Sequence, residues 1–244
     1  MLKETNIYPP LPMSISLDQA KAIQALPLRK QCDVLKIPRF QITRSAGQTS
    51  ETTALKLLRG LGWHGSHCEG RTIECLLKAA AFNEISSRNE LGYEDAKERY
   101  LMALMRTRDY KAENLKNEIL DTSLETIKKR YAEIRDLCVS FGLIKNLPEA
   151  DVAIEIFKGL GKHGACCLLE KYAKHKNEFA FGWPDLTVVR DGKIKLIEVK
   201  KDDKLHLSQI QTIPEVKSCL PPNANVEVLH LVRKTVPNFS LAHP

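Results

Sequence analysis

Two apolar, β-branched runs, Leu186-Thr187-Val188-Val189 and Ile194-Lys195-Leu196-Ile197, flank an Asp191-Gly192 pair. An Asp-Gly dipeptide between such runs predicts a hairpin closed by a type I′ turn. With the turn at 191–192, Arg190 pairs with Lys193, 189 meets 194, 187 meets 196, and Asp185 falls opposite Glu198. Strand side chains alternate between faces, so Glu198 and Lys200 point the same way and Val199 points the other. Cross-strand partners share a face, which brings Asp185 beside Glu198. The hairpin over 183–201 is therefore apolar on both sides, as buried strands are, yet carries three charges on one patch.

Helical spacing dominates the chain before this hairpin. Residues 1–50 read as an N-terminal helical appendage and linker: a proline-rich start, a capping box Ser16-Leu17-Asp18-Gln19 opening a short helix that Pro27 ends, and a second helix to about Lys36. The small, polar stretch 43–50 predicts a linker. From Glu51, ETTALKLLRGLG has helical spacing; WHGSHCEG reads as a glycine-punctuated loop feeding an alanine- and leucine-rich helix. A helical region is predicted over about 93–176. Within it Leu124, Ile127, Tyr131, Ile134, Leu137 and Phe141 keep one apolar stripe and leave Lys128, Lys129 and Arg135 on outer faces. EADVAIEIFKGLG and GACCLLEKYAKHK predict two more helices. After the hairpin, LHLSQIQTI predicts a short helix meeting Pro214, PEVKSCL a second helical piece, and NVEVLHLVRK a strand. The order is helices, strand, strand, helix, strand: an α/β chain with a mixed ending.

Composition narrows the classes. Of 244 residues 43% are hydrophobic and 27% charged, which argues against disorder, and no apolar run approaches the ~20 residues of a membrane helix. Prolines near the start replace the apolar segment a signal peptide needs. The expected address is cytoplasmic, or nuclear in a eukaryote, with no membrane partner. A net charge of +7 favours a polyanionic partner. Seven scattered cysteines make a disulfide framework an unfavoured reading, and His163, Cys166, Cys167 and His175 lack the paired spacing of a zinc site.

Two carboxylates on adjacent strands, with a lysine two residues past the second, match what divalent-metal phosphodiester hydrolysis needs. Mg²⁺ or Mn²⁺ takes oxygen ligands and keeps several waters, so two carboxylates and a backbone carbonyl suffice. The alternative is a surface salt bridge worth ~0–1 kcal/mol. Like carboxylates placed opposite one another destabilise a sheet unless something binds them, and that favours the metal reading.

Gly182-Trp183-Pro184-Asp185, Ile197-Glu198-Val199-Lys200, Asp203-Lys204-Leu205 and Gln209 resemble the G-x-P-D, E-V-K and D-(R/K)-L…Q run of VRR-NUC nucleases. This is the virus-type replication and repair branch of the PD-(D/E)XK fold. The stretch 60–82 is similar to the loop and first helix of the Fanconi-associated 5′-flap nucleases, and the helices of 93–176 stand where those enzymes carry a helical insert. The resemblance implies a restriction-endonuclease-like core with a helical insertion, spanning 51–244. It implies that Asp185, Glu198 and Glu69 are metal ligands with the Val199 carbonyl, that Lys200 is the catalytic lysine and that Gln209 faces the active site. Glu74 competes with Glu69, and Gln211 with Gln209, because the spacing to Gln209 is one residue shorter than in those enzymes. Lys201 stands where relatives carry glycine.

The resemblance further implies a structure-specific DNA endonuclease or 5′ exonuclease acting on branched or flapped DNA in repair or replication. Arg106, Arg108, Lys111, Lys128, Lys129 and Arg130 are the candidate DNA-binding residues, by charge and position. The insert favours a monomer, with recruitment by a protein partner, over a dimeric Holliday-junction resolvase. A restriction-type endonuclease and a non-catalytic DNA-binding module are the remaining alternatives.

Overall fold

The computed structural model describes residues 14–44, 50–87, 112–144, 146–175, 179, 181–201 and 203–233. Five strands form one mixed sheet in the order β1-β5-β4-β3-β2. These are β1 (Arg39–Arg44), β2 (His64–His67), β3 (Leu186–Arg190), β4 (Lys193–Lys200) and β5 (Ala224–Arg233). The hairpin β3–β4 has the register its turn dictates: Leu186 opposes Ile197, Thr187 Leu196, Val189 Ile194 and Arg190 Lys193. Asp191 and Gly192 both have positive φ, 49° and 71°, as a type I′ turn requires. β4 pairs parallel to β5, and β5 parallel to β1.

Period-2 alternation in β4 divides the molecule into two cores. Ile197 and Val199 face α3 (Ser50–Gly60), packing with Ala54, Leu58, Trp63, Leu186 and Val188. Ile194 and Leu196 face the larger core. That core is built from α1 (Leu17–Ala25), α2 (Leu28–Leu35), α4 (Arg71–Ala80), α5 (Phe82–Ser87), α6 (Ala112–Asp121), α7 (Leu124–Ser140), α8 (Ala150–His175) and α9 (Leu207–Ser218). Gly161 breaks α8 with φ 71° and ψ 158°, which agrees with two helical patterns on either side. On α7, Ile127, Tyr131 and Ile134 are buried as their spacing predicts, whereas Leu124 and Phe141 at its ends are exposed. α9 continues through Pro214, so the two short pieces are one helix. Its buried face, with Ile210, Ile213 and Val216, outweighs the hydrogen bond a proline cannot donate.

Residues 14–44 of the N-terminal segment pack onto the rest of the fold and do not stand apart as an appendage. α1 has the capping box at Ser16 and Gln19 and α2 follows Pro27, but both pack into the main core. The buried Gln31 amide donates to the Ile23 and Gln24 carbonyls and accepts from the Leu205 N–H, tying these helices to the loop before α9. β1 then supplies a sheet edge. Much of the stretch read as a linker, 45–49, lies outside the described residues, as does 93–111 of the helical region. Cys167 and Cys219 form a disulfide joining α8 to the end of α9, a single cross-link where none was expected. No described helix is long and apolar enough to cross a membrane.

Candidate active site

Asp185 ends a segment whose path two glycines permit. Gly182 has φ +82°, and a Cβ there would stand 2.4 Å from the Ser208 carbonyl, so the segment can lie against the first turn of α9. Trp183 is buried, donates from Nε1 to the Phe179 carbonyl at 2.8 Å and stacks on Tyr172. Gly70, φ +77°, rests on the Trp183 ring, where a Cβ would come within 2.5 Å. The turn before it is thereby pressed onto Asp185. The backbone N–H groups of Cys68 and Glu69 donate to the Asp185 carbonyl at 3.2 and 3.4 Å. Glu69, at φ 47°, then presents its carboxylate beside that of Asp185.

The other polar groups come from β4, α9 and the loop between them. Asp185 accepts from the Val199 N–H at 2.8 Å. Glu198 is 1% exposed; its Oε1 accepts from Lys200 Nζ at 2.9 Å and from Gln209 Nε2 at 2.6 Å. Lys200, also buried, reaches Asp203 at 3.3 Å. Gln209 is the third residue of α9, and its Oε1 accepts from the His206 N–H. One amide thus caps the helix and orients Glu198. Gln211 instead lines a separate groove with Phe181 and Glu215, and Glu74 is held between Arg71 and Lys78, which depress its pKa against the effect of burial.

Burial, then the neighbouring Asp185, pushes the Glu198 pKa up to about 8, against the opposing pull of Lys200 and Gln209. Asp185 is raised as well, chiefly by burial. Lys200 is raised: its own burial works against the charge, but Glu198 and Asp203 outweigh it.

A divalent cation fits the cluster of His67, Glu69 and Asp185, which does not include Glu198. Glu198 Oε2 is buried without a hydrogen-bond partner. A buried carboxylate oxygen in that state is costly unless a cation meets it. Donor atoms of His67, Glu69 and Asp185 lie within 4.8 Å of one another. His67 was not anticipated; its only sequence signal is its position two residues before Glu69 in a stretch read as loop, where the structure has β2. Glu51, on the first turn of α3, adds a further carboxylate near enough to raise Asp185.

Among the described residues, the basic side chains of the insert are mostly committed within the protein. Lys128 pairs with Asp151 at 2.6 Å, and Arg135 with Glu149. Arg130 donates to the Ala79 carbonyl, Asn83 and Glu118, and lies over the Phe82 ring. Lys129 is exposed, while Arg106, Arg108 and Lys111 lie outside the described residues. Arg130 therefore serves the fold. Replacing it with alanine leaves the Glu118 carboxylate, 11% exposed, without its cation. We expect a stability loss of about 2 kcal/mol in urea unfolding, with DNA affinity unchanged. A tenfold affinity loss at unchanged stability would instead make Arg130 a DNA contact.

The mixed five-stranded sheet flanked by helices, with a carboxylate-bearing hairpin inside it, is an α/β fold, the arrangement expected for a PD-(D/E)XK-like core. Two crystal structures of paFAN1 share this fold, one bound to 5′ flap DNA with a 2-nucleotide flap and a gap, the other to the same kind of DNA with a 1-nucleotide flap. Their TM-scores are 0.55 and 0.53; identity is 14% in both, and the match covers 90% of this chain and 46% of paFAN1. The chain thus has a FAN1-like fold and spans about half the length of that neighbour. No protein-family model matches the chain, and no curated protein does.

Proposed function

We propose that the protein is a divalent-metal-dependent, structure-specific DNA nuclease that hydrolyses phosphodiester bonds near 5′ flaps or single-strand/double-strand junctions, in repair or replication. The observation that carries this reading is the buried Glu198 Oε2 without a partner, set beside Asp185 and Lys200. A non-catalytic DNA-binding module has no use for so costly an arrangement.

Asp185, Glu198 and Glu69 would hold the ion with the Val199 carbonyl, and His67 is placed to contribute a nitrogen. A Mg²⁺ or Mn²⁺ ion there supplies polarisation of the phosphate and a lower pKa for bound water. Lys200 keeps its charge beside Glu198 and can orient the attacking water or meet charge developing on the phosphate oxygens. Gln209, fixed by the cap of α9, holds Glu198 in place for that role. Contacts to phosphates carry affinity without base identity, so no sequence preference follows.

The test is cleavage of a labelled panel of 5′ flap, 3′ flap, four-way junction and plain duplex, with Mg²⁺ or Mn²⁺. Cutting of the 5′ flap with the junction spared is the expected result for a monomeric enzyme. Symmetric nicks in the junction would favour a dimeric resolvase, and cutting of duplex at one sequence a restriction-type enzyme. No cleavage under any metal would overturn the reading.

A further inference from the structure

Beside the candidate active site runs a groove of about 630 Å³, between α3, β2 and the segment 146–152. Lys56 and Arg59 stand on its α3 wall, and His64 and His67 lie on the β2 strand that also lines it. Its one acidic residue, Glu149, is already paired with Arg135. Lys56 and Arg59 are exposed and have no ion-pair partner among the described residues, unlike Lys128, Arg130 and Arg135 of α7.

The groove has a direction. At one end His67 shares the cluster with Glu69 and Asp185. Alternation along β2 puts the His64 side chain on the face opposite to that of His67, so the cationic wall of the groove is Lys56 and Arg59 of α3. Lys56 and Arg59, three apart on one helix, have Cβ atoms about 5–6 Å from one another and can meet neighbouring phosphates. Among the described residues, no Phe, Tyr or Trp lines this groove.

We propose that this groove carries the sugar–phosphate backbone of the strand being cut, with Lys56 and Arg59 on the phosphates leading to the scissile one. The proposal rests on the nuclease reading above and adds where the substrate lies. It adds a DNA-contacting surface on α3 and β2 to the candidates of the insert.

Binding of a 5′ flap duplex is measured across a salt titration with Mg²⁺ in an Asp185→Asn background, which keeps the substrate intact. Relative to that background, Lys56→Ala/Arg59→Ala is expected to bind about tenfold more weakly at low salt. The slope of log Kd against log salt should fall by about 1.5 to 2 in magnitude, as the loss of two phosphate contacts requires. Lys56→Arg/Arg59→Lys should bind like the background. Neutral methylphosphonates near the cut should weaken binding of the background protein and have little effect on the double alanine variant. Both positions are exposed, so thermal melts should coincide. Unchanged affinity and slope in the double alanine variant, with the parent still cleaving, overturn the groove alone. A parent that neither binds nor cleaves DNA overturns the groove and the nuclease reading together.

Discussion

Asp185→Ala is expected to lower cleavage by at least about 10³-fold, roughly 4 kcal/mol of barrier, while DNA binding survives. The carboxylate does two jobs that alanine cannot. It presents oxygen to the cluster with Glu69 and His67, and it accepts the Val199 N–H at the point where β4 delivers Glu198. Asp185→Asn separates these jobs, because its amide oxygen still accepts from Val199 while the negative charge is gone. We expect Asn to be nearly as inactive as Ala and to melt closer to the parent. Removing the charge at 185 also lets Glu198 ionise at lower pH, since Asp185 is one of the two causes that raise it. Cleavage by either variant at the parent's rate would mean that the site has been placed wrongly.

Glu198 couples metal, pH and stability. Its folded pKa of about 8 stands above the ordinary 4.5, so the fold favours the protonated carboxyl. The sign follows: this contribution is fully present below pH 4.5 and is lost as pH rises through about 8. Chelated protein should therefore be less stable at pH 8 than at pH 5, by on the order of a few kcal/mol, and melt at a lower temperature. Mg²⁺ or Mn²⁺ needs the ionised carboxylate, so the rise in melting temperature on adding metal should be larger at pH 8. Lys200, raised rather than lowered, stays charged across this range, and Asp185 shifts in the same direction as Glu198. Glu198→Gln keeps the shape without the ionisation. It should flatten the pH dependence, stabilise the chelated protein at pH 8 and remove the metal response. A glutamine variant with the parent's metal response would exclude Glu198 as a ligand.

The hairpin was legible because its signals are local. Asp191-Gly192 sets the turn, the turn sets the register, and alternation then assigns every side chain to a face. Nothing distant is needed to bring Asp185, Glu198 and Lys200 to one end of the sheet. The resemblance to VRR-NUC nucleases rests on the same residues and led to Glu69 and Gln209. The structure places Glu69 against Asp185 and Gln209 against Glu198.

What the sequence withheld depended on partners far along the chain. β1 carries Arg39, Gln41, Thr43 and an exposed Phe40, too polar to announce a strand; it exists because β5, about 190 residues later, offers a parallel edge. β2 reads His-Gly-Ser-His, with no apolar residue, and is a strand only because β3 lies beside it. His67 was hidden for that reason. The basic stripe of α7 looked free for the same cause in reverse: its acidic partners Glu118, Glu149 and Asp151 come from other segments. By itself the sequence determined the α/β class, the hairpin and the charged triad on it, because period and turn chemistry act over a few residues. Only the tertiary structure decided which carboxylates, histidines and free cations surround that triad, because ion pairs and strand edges are settled between segments that meet when the chain closes.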